Sequence, residues 1–209
     1  KAMNNVVNVK GGSAKGVYGG NSNGGEASGN SVKIAETTVG FLSVYGGYSY
    51  RGSANNNSVV IDDKTVVKGS YVQGGHSGKK EAVGNSVEIS GKDTQLQNVN
   101  GGRAETLTKN NTITIKDGQI SGEVIAGYGG SMGSSSNRIQ ISGGKIGGEI
   151  TSGYSFGGEA SKNILEISGG EINTKSRIQS GFSITNNAVE NKVKISGGKI
   201  TSSGDIYAG

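Results

Sequence analysis

An asparagine followed two and four positions later by branched apolar residues recurs eight times in this chain. The copies begin at Asn5, Asn30, Asn57, Asn85, Asn111, Asn137, Asn163 and Asn191, with spacings of 25, 27, 28, 26, 26, 26 and 28 residues. The first apolar position reads Val7, Val32, Val59, Val87, Ile113, Ile139, Leu165 and Val193; the second reads Val9, Ile34, Ile61, Ile89, Ile115, Ile141, Ile167 and Ile195. Apolar residues at every other position, with mostly polar ones between, predict a short half-buried strand. A disordered chain needs no register, so a repeat held in eight of eight copies excludes low-complexity disorder. A unit of this size cannot bury a face alone and must stack on its neighbours.

Further columns share the repeat. Val17, Val44, Val72, Val99, Val124, Ile150, Ile178 and Ile206 form one, and three residues after each stands a glycine: Gly20, Gly47, Gly75, Gly102, Gly127, Gly153, Gly181 and Gly209. A small residue lies three before each repeat asparagine, from Ala2 to Ala188. A looser apolar column falls nine after the asparagine: Val39, Val66, Ile120, Ile146, Ile172 and Ile200, with Ala14 and Thr94 as weaker copies. Each unit therefore contains two or three short strands punctuated by glycine, with no apolar period of helical length. Leucine-rich repeats would need far more than the four leucines present, and propeller blades need about 40 residues and four longer strands. A coil of parallel strands fits, and connections between parallel strands of one sheet are strongly right-handed. The sequence predicts an all-β chain: a right-handed parallel β-helix (β-solenoid) of about eight rungs of 25–28 residues, a single unit over 1–209.

Composition adds exclusions. Glycine supplies 40 of 209 residues and proline none, which rules out collagen and polyproline architectures. Without cysteine there are no disulfides or thiolate metal sites. No apolar run reaches the length of a membrane span, and "KAMNNVVNVKGG" at the N-terminus lacks the apolar region of a signal peptide. Because the chain begins and ends inside a repeat, it is expected to be a fragment of a longer protein.

The consensus N-x-V-x-I-S-G-G-x-I-x-G-x-V-Y-G-G-Y-S-x-x-G-x-A-x-x-N, clearest in "NRIQISGGKIGGEITSGYSFGGEASKN", resembles repeats in the passenger regions of large Gram-negative autotransporter (type V secretion) adhesins. The resemblance covers the whole chain. It implies a segment of a longer passenger region displayed outside the outer membrane on a C-terminal β-barrel that this chain does not contain. It further implies adhesion and virulence functions, with a host or bacterial cell-surface protein or glycan as partner.

The residues themselves offer few sites. Asparagine stacked on asparagine can bond along a ladder, and at a turn it can accept left-handed geometry and satisfy nearby backbone. The asparagine column is thus expected to be structural rather than a ligand strip. Tight corners of positive φ account for the glycine columns; no phosphate-loop pattern and no following helix accompany them. Calcium-binding solenoids carry an aspartate in every copy, whereas here Asp62, Asp63, Asp93, Asp117 and Asp205 are scattered. No metal or cofactor is expected. The single histidine, His76, has no partners placed by spacing for nucleophilic chemistry, and adjacent Asp62 and Asp63 on a strand would face opposite ways. No enzymatic activity is expected, with a glycan-cleaving β-helix as the alternative. Lysines (Lys10, Lys33, Lys64, Lys79, Lys80, Lys116, Lys145, Lys194) are spread without an arginine-aromatic cluster, so nucleic acid is not an expected partner.

One variable strip stands out. Directly after the repeat glycine come Asn21, Tyr48, His76, Arg103, Tyr128, Tyr154 and Phe182; two before it come Tyr18, Tyr45, Gln73, Asn100, Thr151, Gln179 and Tyr207. The latter set alternates with the inward Val/Ile column and is expected to face solvent. Tyrosine faces beside hydrogen-bonding groups suit a sugar or a protein, and Tyr45, Tyr48, His76, Arg103, Tyr128 and Tyr154 are the candidate binding residues. The competing expectation is rung-to-rung stacking that only stiffens the rod, which would make the chain a spacer.

Overall fold

The computed structural model describes residues 1–209 as an all-strand coil whose strand pairs are all parallel. Three sheets of eight strands each run along the axis, one strand per turn. Sheet 1 holds the strands that follow the repeat asparagine, from Val6–Lys10 to Lys192–Ile195. Sheet 2 collects shorter strands, from Ser13–Ala14 to Lys199–Ser202. Sheet 3 runs from Val17–Ser22 to Ile206–Tyr207. The small residues before each asparagine form an edge of two shorter sheets, Ala2–Met3 with Ala27–Ser28 and five strands from Ala82–Val83 to Ala188–Val189. No helix is present, and none is therefore long and apolar enough to cross a membrane.

The core follows from the columns. Val59, Val87, Ile113 and Ile139 stack in register, as do Ile61, Ile89, Ile115 and Ile141, all at most 1% exposed. The second-column residues from Val44 to Ile178 close the interior from sheet 3. Burying an isoleucine or valine this fully contributes roughly 1.5–3 kcal/mol relative to exposure. Exposed Ile195 and Ile206 belong to the last turn, which has a neighbour on one side only, whereas Val6 stands at an outward position of its strand.

Sheet 2 departs from the sequence expectation at two positions. The inward residues are Val67 and Leu96, in register with Val39 and Ile120, rather than Val66 and Thr94. The corner before Val67 carries one extra residue and that before Leu96 two, so a fixed offset from the asparagine misplaces them. Thr37, Thr65 and Thr94 are instead fully buried at this corner, each hydroxyl donating to a backbone carbonyl (Ala35, Asp63 and Asp62). Later turns put Gly118, Gly144, Gly170 and Gly198 there at φ of 79–98°, where a side chain would be strained.

The repeat glycines of sheet 3 correct a second expectation. None of them has positive φ. They are glycines because the ladder asparagine lies against them: a Cβ on Gly102 would sit 2.6 Å from the Asn111 side chain, and one on Gly75 2.5 Å from Asn85. The left-handed corner lies one residue before each ladder asparagine, at Asn4, Gly29, Asn56, Gly84, Asn110, Ser136, Lys162 and Glu190, with φ of 55–69° throughout. Glycine and asparagine tolerate that region best, which explains five of the eight residues.

The asparagine column forms a continuous amide ladder. Asn111 shows the pattern: its Nδ2 donates to Asn137 Oδ1 (2.9 Å) and to the Ala82 carbonyl of the preceding turn (2.9 Å). Its Oδ1 accepts from Asn85 Nδ2 (2.9 Å) and from the Asn85 backbone N–H (3.0 Å). Both amide hydrogens and both acceptor positions are thereby used. The same bonds link Asn5, Asn30, Asn57, Asn85, Asn137, Asn163 and Asn191, and the central members are at most 1% exposed. The small residues are fully buried in the central turns, which leaves room for little side chain, and their carbonyls receive the amide from the next turn, as Ala54 does from Asn85 at 2.8 Å.

Candidate recognition surface along the outer strip

Each sheet 3 strand kinks where the first of its two small residues approaches the next turn. The pairing skips Gly74, between Gln73–Tyr45 and Gly75–Gly47, and a Cβ on Gly101 would lie 2.5 Å from the Ala126 carbonyl oxygen. The kink turns two residues outward three positions apart, such as Tyr45 and Tyr48, whose rings meet edge to face at 5.2 Å. Beyond the kink a serine points back inward and fixes the loop: Ser49, Ser77 and Ser155 accept the N–H of Gly52 (2.8 Å), Lys80 (2.9 Å) and Gly158 (3.1 Å).

Parallel register then places His76, Arg103, Tyr128, Tyr154 and Phe182 side by side on successive turns, with Tyr48 before them. Tyr48 stacks on His76 at 5.0 Å and Tyr18 on Tyr45 at 5.2 Å. The Arg103 guanidinium lies 4.4 Å from the Tyr128 ring centre, Tyr128 stacks on Tyr154 at 4.7 Å, and Phe182 follows at 5.3 Å with Arg177 over it at 4.8 Å. All six candidate residues, Tyr45, Tyr48, His76, Arg103, Tyr128 and Tyr154, share this one strip and are half-buried.

Two expectations change. The ring faces of Tyr128, Tyr154 and Phe182 are not free, because each is covered by the next ring or by a guanidinium, and Tyr45, Tyr48 and His76 each have one face stacked; such contacts contribute about 0.5–1.5 kcal/mol each. The strip is half-buried along its length, so only part of each ring reaches solvent. The inner set does not face solvent in the middle of the rod either: Gln73, Asn100, Thr151 and Gln179 are at most 2% exposed, and Ile125 completes their column. Larger neighbours on both sides roof them over, and only Tyr18, Tyr45 and Tyr207, near the ends, reach solvent.

Burial decides the ionisation of the strip. His76 is lowered from 6.5 to about 4, first by desolvation and then by the positive charge of Arg103, and its Nδ1 lies 3.1 Å from Gln73 Oε1. Desolvation likewise raises the phenols of Tyr45 and Tyr154. Since the unfolded histidine titrates near 6.5, the unfolded chain takes up a proton that the folded chain refuses. The stability that His76 contributes is complete above about pH 6.5 and is lost as pH falls towards 4. A His76→Gln variant is therefore expected to lose about 2 kcal/mol less than the parent between about pH 7 and pH 4.5, measured by urea unfolding. Equal losses would remove His76 as the cause.

A column that sequence comparison missed stands beside the strip. The residues immediately before the inward Val/Ile of sheet 3 include Tyr71, Asn98, Glu123, Glu149 and Arg177. Their identities change from turn to turn, so no constant letter marks them. Of these, Tyr71, Glu123, Glu149 and Arg177 line a groove of about 670 Å³ together with Arg103, Ile125, Tyr128, Tyr154, Phe182 and Ile184. A second groove, about 570 Å³, flanks the ridge on its other side between His76, Arg103, Glu105, Tyr128 and Phe156. A third, about 540 Å³, runs over sheet 2; it has no aromatic lining, and its Lys145 and Glu171 pair with each other at 3.5 Å.

Other candidates lie elsewhere. Asp62 and Asp63 fall in the turn after the strand Ser58–Ile61 rather than on it; Asp62 pairs with Lys33 at 4.0 Å. Lys10, Lys79, Lys116 and Lys145 also pair with carboxylates one turn away, exposed contacts worth little individually. No cluster of three or more histidine, aspartate or glutamate side chains could hold a metal ion. No model of a known protein family matches the chain, and no curated protein or solved structure matches it.

Proposed function

We propose that the chain is a non-enzymatic segment of a bacterial cell-surface adhesin, a rigid rod whose outer strip recognises a glycan or protein on host or bacterial cells. The observation that carries this reading is the strip itself. Phenol edges, two arginines and two glutamates run in line along one side of the rod, flanked by two grooves. The fold does not need that chemistry there, since its core and amide ladder lie elsewhere. The passenger origin, extracellular location and outer-membrane anchoring through another part of the protein rest on the repeat resemblance. Distribution of lysines into cross-turn pairs supports a partner other than nucleic acid. The spacer reading draws support from the ring stacking, which stiffens the rod whether or not anything binds.

Adhesion of beads carrying the protein to cells, compared between the parent and a Tyr128→Ala/Tyr154→Ala variant, tests the reading. The expected result is loss of most adhesion with a melting temperature lowered by a few degrees, about what one lost stacked pair costs in a chain of this size. Full adhesion with a lowered melting point would leave the strip as scaffold and favour the spacer.

A further inference from the structure

The larger groove contains one carboxylate held in a fixed position. Glu149 Oε1 accepts from the Thr151 hydroxyl at 2.8 Å and from Gln179 Nε2 at 3.1 Å, and that amide also donates to Thr151 Oγ1 at 3.1 Å. Thr151 and Gln179 are 0% and 1% exposed. Buried polar side chains are a liability unless bonded, and the fold does not require them here, because the same column accepts Ile125 one turn earlier. What they accomplish is to orient Glu149, whose second oxygen makes no bond to the protein.

The rest of the groove matches a hydroxyl-rich ligand. The phenol hydroxyls of Tyr128 and Tyr154 make no hydrogen bond within the protein, and Glu123, Glu149, Arg103 and Arg177 form no ion pairs although they share one groove. Two carboxylates and two guanidiniums leave the groove without a net charge to favour an ionic ligand, while together they supply both acceptors and donors. These groups repeat once per turn, at about 4.8 Å. An extended polypeptide advances about 3.3 Å per residue and falls out of step with that spacing, whereas a linear chain of pyranose rings advances by roughly one ring per turn.

We infer that the groove beside Tyr128, Tyr154 and Phe182 binds a neutral linear glycan lying along the rod axis, with Glu149 accepting from a pair of adjacent sugar hydroxyls. Tyr128 and Tyr154 bond to ring substituents of successive sugars, and Arg177 donates to a hydroxyl or ring oxygen. Thr151 and Gln179 are positioning residues that act through Glu149. This deepens the adhesin reading and rests on it, since it names the ligand class of the same strip.

The test is calorimetric titration of the protein with neutral tetrasaccharides (β-1,4-linked N-acetylglucosamine, β-1,4-linked glucose and α-1,4-linked glucose) and with an acidic one, tetragalacturonate. The expected result is binding of at least one neutral tetrasaccharide that survives high salt. Glu149→Gln should weaken it about tenfold and Thr151→Val about threefold, with melting temperatures near the parent's, while Lys10→Ala, on sheet 1 away from the strip, leaves it unchanged. The smaller loss in Thr151→Val should disappear when Glu149→Gln is already present, as a role through Glu149 requires. Absence of binding to all four sugars, while Tyr128→Ala/Tyr154→Ala still abolishes cell adhesion, would overturn the glycan assignment and leave the adhesin reading with a protein partner. Binding of tetragalacturonate alone, lost in salt and indifferent to Glu149→Gln, would also overturn it. Unaltered adhesion by the double variant together with no sugar binding would remove both readings.

Discussion

Replacing Asn111 with alanine is expected to lower stability by about 3 kcal/mol, read as a shift of the urea midpoint. The side chain is 0% exposed and makes four hydrogen bonds within the ladder. Its removal strands the Asn85 backbone N–H, an Asn85 amide hydrogen, the Ala82 carbonyl and one acceptor position of Asn137, none of which water reaches without opening the corner. Each buried group left unpaired costs about 1–3 kcal/mol, and partial relaxation keeps the total below the sum. Neighbouring turns feel the change directly, because every ladder bond crosses from one turn to the next. Loss of less than about 0.5 kcal/mol, the level of an ordinary surface substitution, would mean that the ladder does not hold the turns together.

Gly102→Ala should cost about as much for the opposite reason. The added methyl would lie 2.6 Å from the Asn111 side chain, and the amide cannot retreat while it is bonded to the turns on either side. Overpacking of this kind costs about 1–3 kcal/mol before any broken bond is counted. The two substitutions are coupled. With Asn111 already shortened to alanine, the methyl at position 102 has room, so the double variant should be about as stable as Asn111→Ala alone. Simple additivity in a urea-unfolding cycle would show that Gly102 is glycine for some reason other than the amide beside it.

Much of the architecture was legible in the sequence because a solenoid repeats its demands once per turn. Every turn needs an inward residue at the same place, so Val/Ile columns expose the strands, and every turn needs the same amide, so the asparagines expose the ladder. Features that different residues can satisfy left no letter to follow. Lys162, Ser136 and Gly84 all occupy the left-handed corner, because backbone geometry rather than side-chain identity is repeated there. Thr94 and Gly118 serve the same corner of sheet 2 by different means, one with a buried hydroxyl and the other with positive φ. Val67 and Leu96 were displaced from the expected column by insertions that the corner absorbs. The strip was visible as a run of aromatic and charged residues. Coverage of its ring faces, and the fixing of Glu149 by two buried neighbours, depend on contacts between turns that no single repeat contains.

On the proposed function, recognition falls on the outer strip, while the amide ladder carries the larger share of the stability. Cell adhesion of Asn111→Ala and Tyr128→Ala/Tyr154→Ala, measured side by side at a temperature where both remain folded, separates the two most directly. The expected result is adhesion at the parent level for Asn111→Ala despite its larger loss of stability, and little adhesion for the tyrosine variant. Parent-level adhesion by the tyrosine variant, or loss of adhesion on replacing the asparagine in a protein that is still folded, would contradict the division.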